Sequence, residues 1–280
     1  MIKRVVAVFI AIIVLLILVI LGIVAYFLIV DIQSKNPKSI EQDCMITTKN
    51  FVGRKVFIIE PIIKSDENKY ILYFHGGSYV AETSQEHWSF LEKLCKDTGY
   101  TIILPDYPLT PKYTYKDVFN MIEPLYKEII EKVDTKNLIM MGDSAGGGMA
   151  LALEEKLGEE YKELPEKLIL ISPWLDTRMT NPEITEIEPL DKDLKKEALK
   201  IAGIAYSGND GKDSYLVNPI DGPLGRLKNV IIYTGTYDIL NPDVHVLIEK
   251  AKEENVEIEL REYEEQGHIW IVKDTETRSI

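Results

Sequence analysis

Residues 138–148, Leu-Ile-Met-Met-Gly-Asp-Ser-Ala-Gly-Gly-Gly, set a serine between glycines directly after a short apolar run. Gly142, Ser144 and Gly146 fit a G-x-S-x-G turn, in which a strand drops sharply into a helix and lifts the serine hydroxyl above the sheet. Side chains two residues to either side would obstruct that turn. A serine hydroxyl is a weak nucleophile until a base takes its proton and an acid orients the base. The chain holds four histidines, His75, His87, His245 and His268. His87 and His245 fall in helical patterns whose apolar faces are made by other residues, so each reads as a surface or half-buried side chain. His75 begins a glycine pair after a strand and suits loop shaping better than proton transfer. His268 remains, in Glu264-Glu265-Gln266-Gly267-His268 beyond the last expected strand, where open α/β sheets place their ligands.

The acid should follow another strand end, and residues 230–234 lead through Gly235-Thr236-Tyr237 to Asp238. Asp243 and Asp221 are rivals. Asp243 lies in a helix's first turn, where an aspartate is expected for the dipole alone, and Asp221 sits in a glycine/proline turn. The chain order Ser144, Asp238, His268 is that expected of α/β-hydrolases and differs from the other serine hydrolase designs. Charge developing on the acyl oxygen needs preorganised amide donors. Ala145, directly after the nucleophile, supplies one, and His75-Gly76-Gly77 stands at the HGGG-type position that supplies the others.

These groups need strands to carry them. Strand patterns run over residues 56–63, 70–74, 101–104, 138–141, 168–172, 230–234 and 256–262. Between them lie helical patterns. One is opened by a Thr83/Glu86 capping box and closed by Gly99, one is broken or kinked by Pro124, one follows Ser144 to about Gly158, and one runs from Asn241-Pro242 to Asn255. The alternation predicts an α/β fold with a mostly parallel sheet covered by helices on both faces. The domain is expected over residues 56–280. A strandless, cap-like insert around 176–228, with an amphipathic helix over 191–206, is placed to lie over the site.

The first thirty residues stand apart. Lys3 and Arg4 precede twenty-six uncharged, mostly apolar residues, 5–30. At about 1.5 Å rise per residue this run exceeds a hydrocarbon core of roughly 30 Å. A signal peptide's apolar region is only about 7–15 residues long, so a retained membrane anchor over 1–30 is expected, followed by a polar tether over 31–55. The slight excess of positive charge on its amino-terminal side puts the domain outside the cytoplasm. Beyond the anchor the chain carries 30 Lys and Arg against 45 Asp and Glu. That surface repels nucleic acid, leaving a membrane, through residues 5–30, and a small molecule as expected partners. Two cysteines are too few for a disulfide framework, and Cys95, on the apolar side of a helix, is expected as a free buried thiol.

With these residues in place the chain resembles the hormone-sensitive-lipase-like branch of α/β-hydrolase esterases. The match rests on His75-Gly76-Gly77, Asp106-Tyr107 with Leu109 and Pro111, Gly142-Asp143-Ser144-Ala145-Gly146-Gly147, Ser172-Pro173-Trp174-Leu175-Asp176, Asn218-Pro219, Gly235 with Asp238, and His268. The resemblance implies an α/β-hydrolase fold and a serine carboxylesterase acting on small or short-acyl esters through an acyl-serine, with no cofactor and no metal. It implies oxyanion amides from Gly76, Gly77 and Ala145, on a loop braced by His75. Three departures stand out. Ser78 replaces the third glycine of the oxyanion loop. Pro108 and Lys112 replace an arginine and a glutamate, which predicts a missing internal tie. Only twelve residues follow His268, where relatives carry a full helix, which predicts a looser histidine loop. Two other readings use the same fold: an O-deacetylase of cell-envelope glycans, and a non-catalytic ligand-binding protein.

Overall fold

The computed structural model describes residues 44–161 and 164–274. The anchor expected over 1–30, and the tether as far as residue 43, lie outside the described residues. Among those described, no helix is long and apolar enough to cross a membrane.

Eight strands form one sheet. β1 (Cys44–Phe51) and β2 (Arg54–Pro61) make a hairpin, followed by β3 (Tyr70–Phe74), β4 (Thr101–Pro105), β5 (Leu138–Asp143), β6 (Lys167–Ile171), β7 (Val230–Gly235) and β8 (Ile258–Tyr263). Their order across the sheet is β1-β2-β4-β3-β5-β6-β7-β8. β1 and β2 pair antiparallel, as do β2 and β4, and every other pairing is parallel. The mostly parallel sheet is therefore borne out. β1 was expected as part of the polar tether, and this corrects that boundary. Its exposed, polar positions alternate too weakly to read as a strand, and its pairing with β2 across a Val52-Gly53 turn supplies the order that its own pattern lacks.

Successive strand residues feed opposite faces. Leu72, Phe74, Leu138, Met140, Val230 and Ile232 enter one core cluster, while Ile71, Tyr73, Ile139, Met141, Ile231 and Tyr233 enter another. Both faces are buried, so the central strands read as continuous apolar runs. The first face is covered by α2 (Tyr115–Ile130), α3 (Ser144–Glu160) and α6 (Asn241–Glu253), and the second by α1 (Gln85–Thr98) and the short α7 (Trp270–Lys273). α1 is capped by Ser84 with His87 rather than by Thr83 with Glu86, and Gly99 closes it at φ 68°. α2 runs unbroken through Pro124, with Ile122, Leu125 and Tyr126 buried around it; burial outweighs the lost hydrogen bond.

The insert holds α4 (Glu183–Ile187) and α5 (Lys196–Ser207) and no strand. The helix expected from residue 191 begins at Lys196. Asp191 instead turns its carboxylate back onto the amides of Asp193 and Leu194, each at 2.8 Å, which is the competing use of a short acidic side chain.

Candidate active site

The nucleophile turn depends on backbone crowding. A Cβ on Gly142 would stand 2.4 Å from the Gly146 carbonyl oxygen, and one on Gly146 would stand 2.0 Å from that of Phe74. Only hydrogens fit, so β5 can drop straight into α3 beneath β3. Ser144 takes φ 51° at this turn, a left-handed conformation that costs about 1–3 kcal/mol for a side-chain-bearing residue and persists because the packing around it is fixed.

The β7 and β8 ends are brought together in the same manner. A Cβ on Gly235 would lie 2.2 Å from the Gln266 carbonyl oxygen. The Tyr237 amide donates to that oxygen at 3.0 Å, and the Glu265 amide donates to Thr236 Oγ1 at 2.9 Å. This clasp sets Asp238 beneath His268. His268 Nδ1 stands 2.9 Å from Asp238 Oδ2, and His268 Nε2 stands 2.9 Å from Ser144 Oγ. Because the carboxylate can only accept, Nδ1 carries the proton and Nε2 is left to accept from the serine. Asp238 is held in turn by the Leu240 amide at 2.9 Å on Oδ1. Burial works against a charged imidazole at 268, but the charge and hydrogen bond of Asp238, with Asp191 behind, outweigh it and hold the His268 pKa above its ordinary value.

The expected trio thus meets, and the rivals do not join it. Asp243 accepts from Asn181 at 3.0 Å, Asp221 pairs with Arg178 at 2.9 Å, and His245 is exposed beside Glu262. Ser172 Oγ accepts from the Ile269 amide at 3.1 Å, and Ile271 and Val272 of α7 are buried beside α1.

The oxyanion loop needs one correction. The Gly76 amide, expected as a donor, is engaged by Asp143 Oδ1 at 3.0 Å. The next amides, of Gly77 and Ser78, meet no acceptor among the described residues. They lie in a run of positive φ, 110° at Gly77, 55° at Ser78 and 62° at Tyr79, that turns successive N–H groups to one side. Ala145, in the first turn of α3, has no intrahelical acceptor. Gly77, Ser78 and Ala145 are therefore the unengaged amides, and the serine in place of a third glycine contributes through its backbone. His75 is buried, stacks on Tyr107 at 4.4 Å, and has its backbone oxygen bonded by the Tyr107 hydroxyl at 2.6 Å. Burial, helped by His87, lowers the His75 pKa to about 4, so it stays neutral as part of the brace.

Sequence reasoning missed three contributors. Arg54, on β2, bonds the Asp106 carboxylate at 3.0 Å and the Asp106 and Tyr107 carbonyls at 2.8 and 3.0 Å, supplying the tie that Pro108 and Lys112 appeared to delete. Asp143 and His87, buried together at 3.1 Å, sit behind the oxyanion loop, and His87 is more deeply buried than the surface or half-buried side chain expected. A buried aspartate inside the serine motif was the one available signal.

A groove of about 470 Å³ opens beside the base, lined by Tyr237, Gly267, His268, Trp270 and Lys273 together with Leu190 from the insert. Among the described residues no three His, Cys, Asp or Glu side chains are arranged to hold a metal.

A family model described as alpha/beta hydrolase fold matches residues 71–272. The chain belongs to the alpha/beta hydrolase fold family. It is 30% identical over 196 residues to an esterase of Acinetobacter venetianus, covering 69% of this chain and 64% of that protein. It is 28% identical over 221 residues to a triacylglycerol lipase of Mycobacterium tuberculosis, covering 79% of this chain and 46% of that one. The match spans less than two thirds of either relative. Among solved structures, a hormone-sensitive lipase from a metagenome library shares the fold, with a TM-score of 0.79 at 22% identity over 87% of this chain and 81% of that one. The α/β-hydrolase fold that the resemblance implies is borne out.

Proposed function

We propose that this protein is a serine carboxylesterase that cleaves small or short-acyl esters through an acyl-serine. The observation that carries the reading is the continuous Asp238–His268–Ser144 relay, with both links at 2.9 Å. Ser144 Oγ attacks the acyl carbon while His268 Nε2 takes its proton, and Asp238 stabilises the imidazolium. The amides of Gly77, Ser78 and Ala145 meet the oxyanion. His268 then hands the proton to the leaving alkoxide, activates a water against the acyl-serine, and releases the acid. Tyr79 and Tyr206 stack at 3.6 Å, and the Tyr79 hydroxyl lies against α3 at Gly148, one turn beyond the nucleophile; this filled space favours a small acyl group.

The test is fluorophosphonate labelling of the full chain together with hydrolysis of short p-nitrophenyl esters. Wild type should label and turn over, and Ser144→Ala should lose about 10⁶ in kcat. Equal turnover by the variant removes the proposal. The insert is proposed as a cap, since Leu190 shares the groove beside His268. Membrane anchoring through residues 5–30, with the catalytic domain outside the cytoplasm, rests on the sequence; retention in the pellet after carbonate washing is its expected outcome, and release of the full-length chain would refute it.

A further inference from the structure

Behind the oxyanion loop lies a buried carboxylate that no step of ester cleavage uses. Asp143 is fully buried and accepts from the Tyr73 hydroxyl at 2.6 Å and the Gly76 amide at 3.0 Å, both through Oδ1. Its Oδ2 faces His87 Nε2 at 3.1 Å. The fit is close enough that a Cβ on Gly76 would stand 2.2 Å from Oδ2. The direction of the His87 bond follows from its other nitrogen. The Ser84 amide donates to His87 Nδ1 at 3.1 Å. An amide can only donate, so Nδ1 is bare and the proton is on Nε2, pointing at Asp143. His87 therefore does two separate jobs, one per nitrogen: Nδ1 caps α1, and Nε2 holds the carboxylate that holds Gly76.

We propose that His87 is a positioning residue for ester cleavage, acting through Asp143 to fix the loop that carries the Gly77 and Ser78 amides. This rests on the esterase reading. Without the Nε2 donor, Oδ2 keeps no hydrogen-bond partner in a buried site. A carboxylate in that state shifts toward any other donor or takes up a proton, and either change moves the Gly76 amide bonded to its other oxygen. A displaced oxyanion amide weakens the binding of transition-state charge more than that of the uncharged ester.

The two jobs can be separated by substitution. The amide nitrogen of His87→Gln reaches the place of Nε2 and keeps the donor to Asp143. The side-chain oxygen of His87→Asn reaches the place of Nδ1 and keeps the acceptor for Ser84 alone. In the full-length protein, His87→Ala and His87→Asn should lose on the order of tenfold to a hundredfold in kcat, less than the ~10²–10³ lost when an oxyanion donor is removed outright. KM should change little, and His87→Gln should recover most of the rate. Restoration by Asn and not by Gln, or an unchanged kcat in Ala, would reduce His87 to a helix cap and overturn the proposal. Amide hydrogen exchange decides the matter without turnover: exchange at Gly76, whose amide Asp143 holds, should quicken in Asn and not in Gln. Wild type that neither labels nor hydrolyses esters would sink the esterase reading alone, while unchanged exchange in an active Asn variant would sink this one.

Discussion

Replacing Asp238 with asparagine isolates the charge beneath the base while keeping its shape. Asp238 is buried, gives Oδ2 to His268 at 2.9 Å and Oδ1 to the Leu240 amide. An asparagine has one oxygen for two donors. With its oxygen toward His268, its NH₂ faces the Leu240 N–H; turned around, its NH₂ faces Nδ1 and forces the imidazole into the wrong tautomer. The first arrangement leaves a buried donor unpaired, at a cost of about 1–3 kcal/mol, and the second puts the proton on Nε2, where no lone pair is left to take the serine proton. The larger loss comes in the transition state, where His268 becomes positive. Unit charges separated by this distance attract by about 6 kcal/mol at an effective dielectric constant near 20, equivalent to roughly four powers of ten in rate. Asp238→Asn should therefore retain the fold and lose about 10⁴ in kcat for p-nitrophenyl acetate at pH 8. The pH profile gives a second reading. His268 must be neutral to accept a proton, and its pKa is raised in the folded protein, so wild-type kcat/KM should fall on the acid side through a midpoint above 6.5. With the carboxylate gone, burial works against the charged imidazole and only the more distant Asp191 opposes it, so the acid limb should move to lower pH. An Asp238→Asn enzyme within tenfold of wild type, with its acid limb unmoved, would refute the assignment of Asp238.

Three other outcomes follow from crowding, a tie and a buried acid. Gly146→Ala puts a methyl 2.0 Å from the Phe74 carbonyl oxygen, so soluble yield or thermal midpoint should collapse, and a variant as stable as wild type would contradict the packing described. Arg54→Ala frees Asp106 and Tyr107, and because Tyr107 braces His75 the expected result is a severalfold lower kcat with a small loss in thermal midpoint. Glu154 is buried without a hydrogen-bond partner, and burial raises its pKa to about 8. Its contribution is therefore full below the unfolded carboxyl's pKa and fades as pH rises through about 8; Glu154→Gln should flatten the decline in thermal midpoint between pH 5 and 8, and an unaltered slope would argue against a protonated Glu154.

The meeting of Ser144, Asp238 and His268 was legible because each follows a strong strand signal, and chain order separated Asp238 from Asp221 and Asp243. The central strands were legible for a related reason: burial on both faces leaves unmistakable apolar runs. β1 was not, since its partner β2 rather than its own residues makes it a strand. The oxyanion loop was read one residue too early. Sequence places glycines near the site, but only the Asp143 carboxylate determines that the Gly76 amide is engaged while those of Gly77 and Ser78 are not. His87 was misread for the same reason, because the partner that buries it lies 56 residues away.

The base arrives 124 residues after the nucleophile and on the far side of the last strand. If the proposed mechanism holds, a ribosome-bound chain halted before that point displays Ser144 without the imidazole that would take its proton. Phosphonylation of Ser144 by a fluorophosphonate, with loss of fluoride, would accordingly report when β8 and the His268 loop have docked.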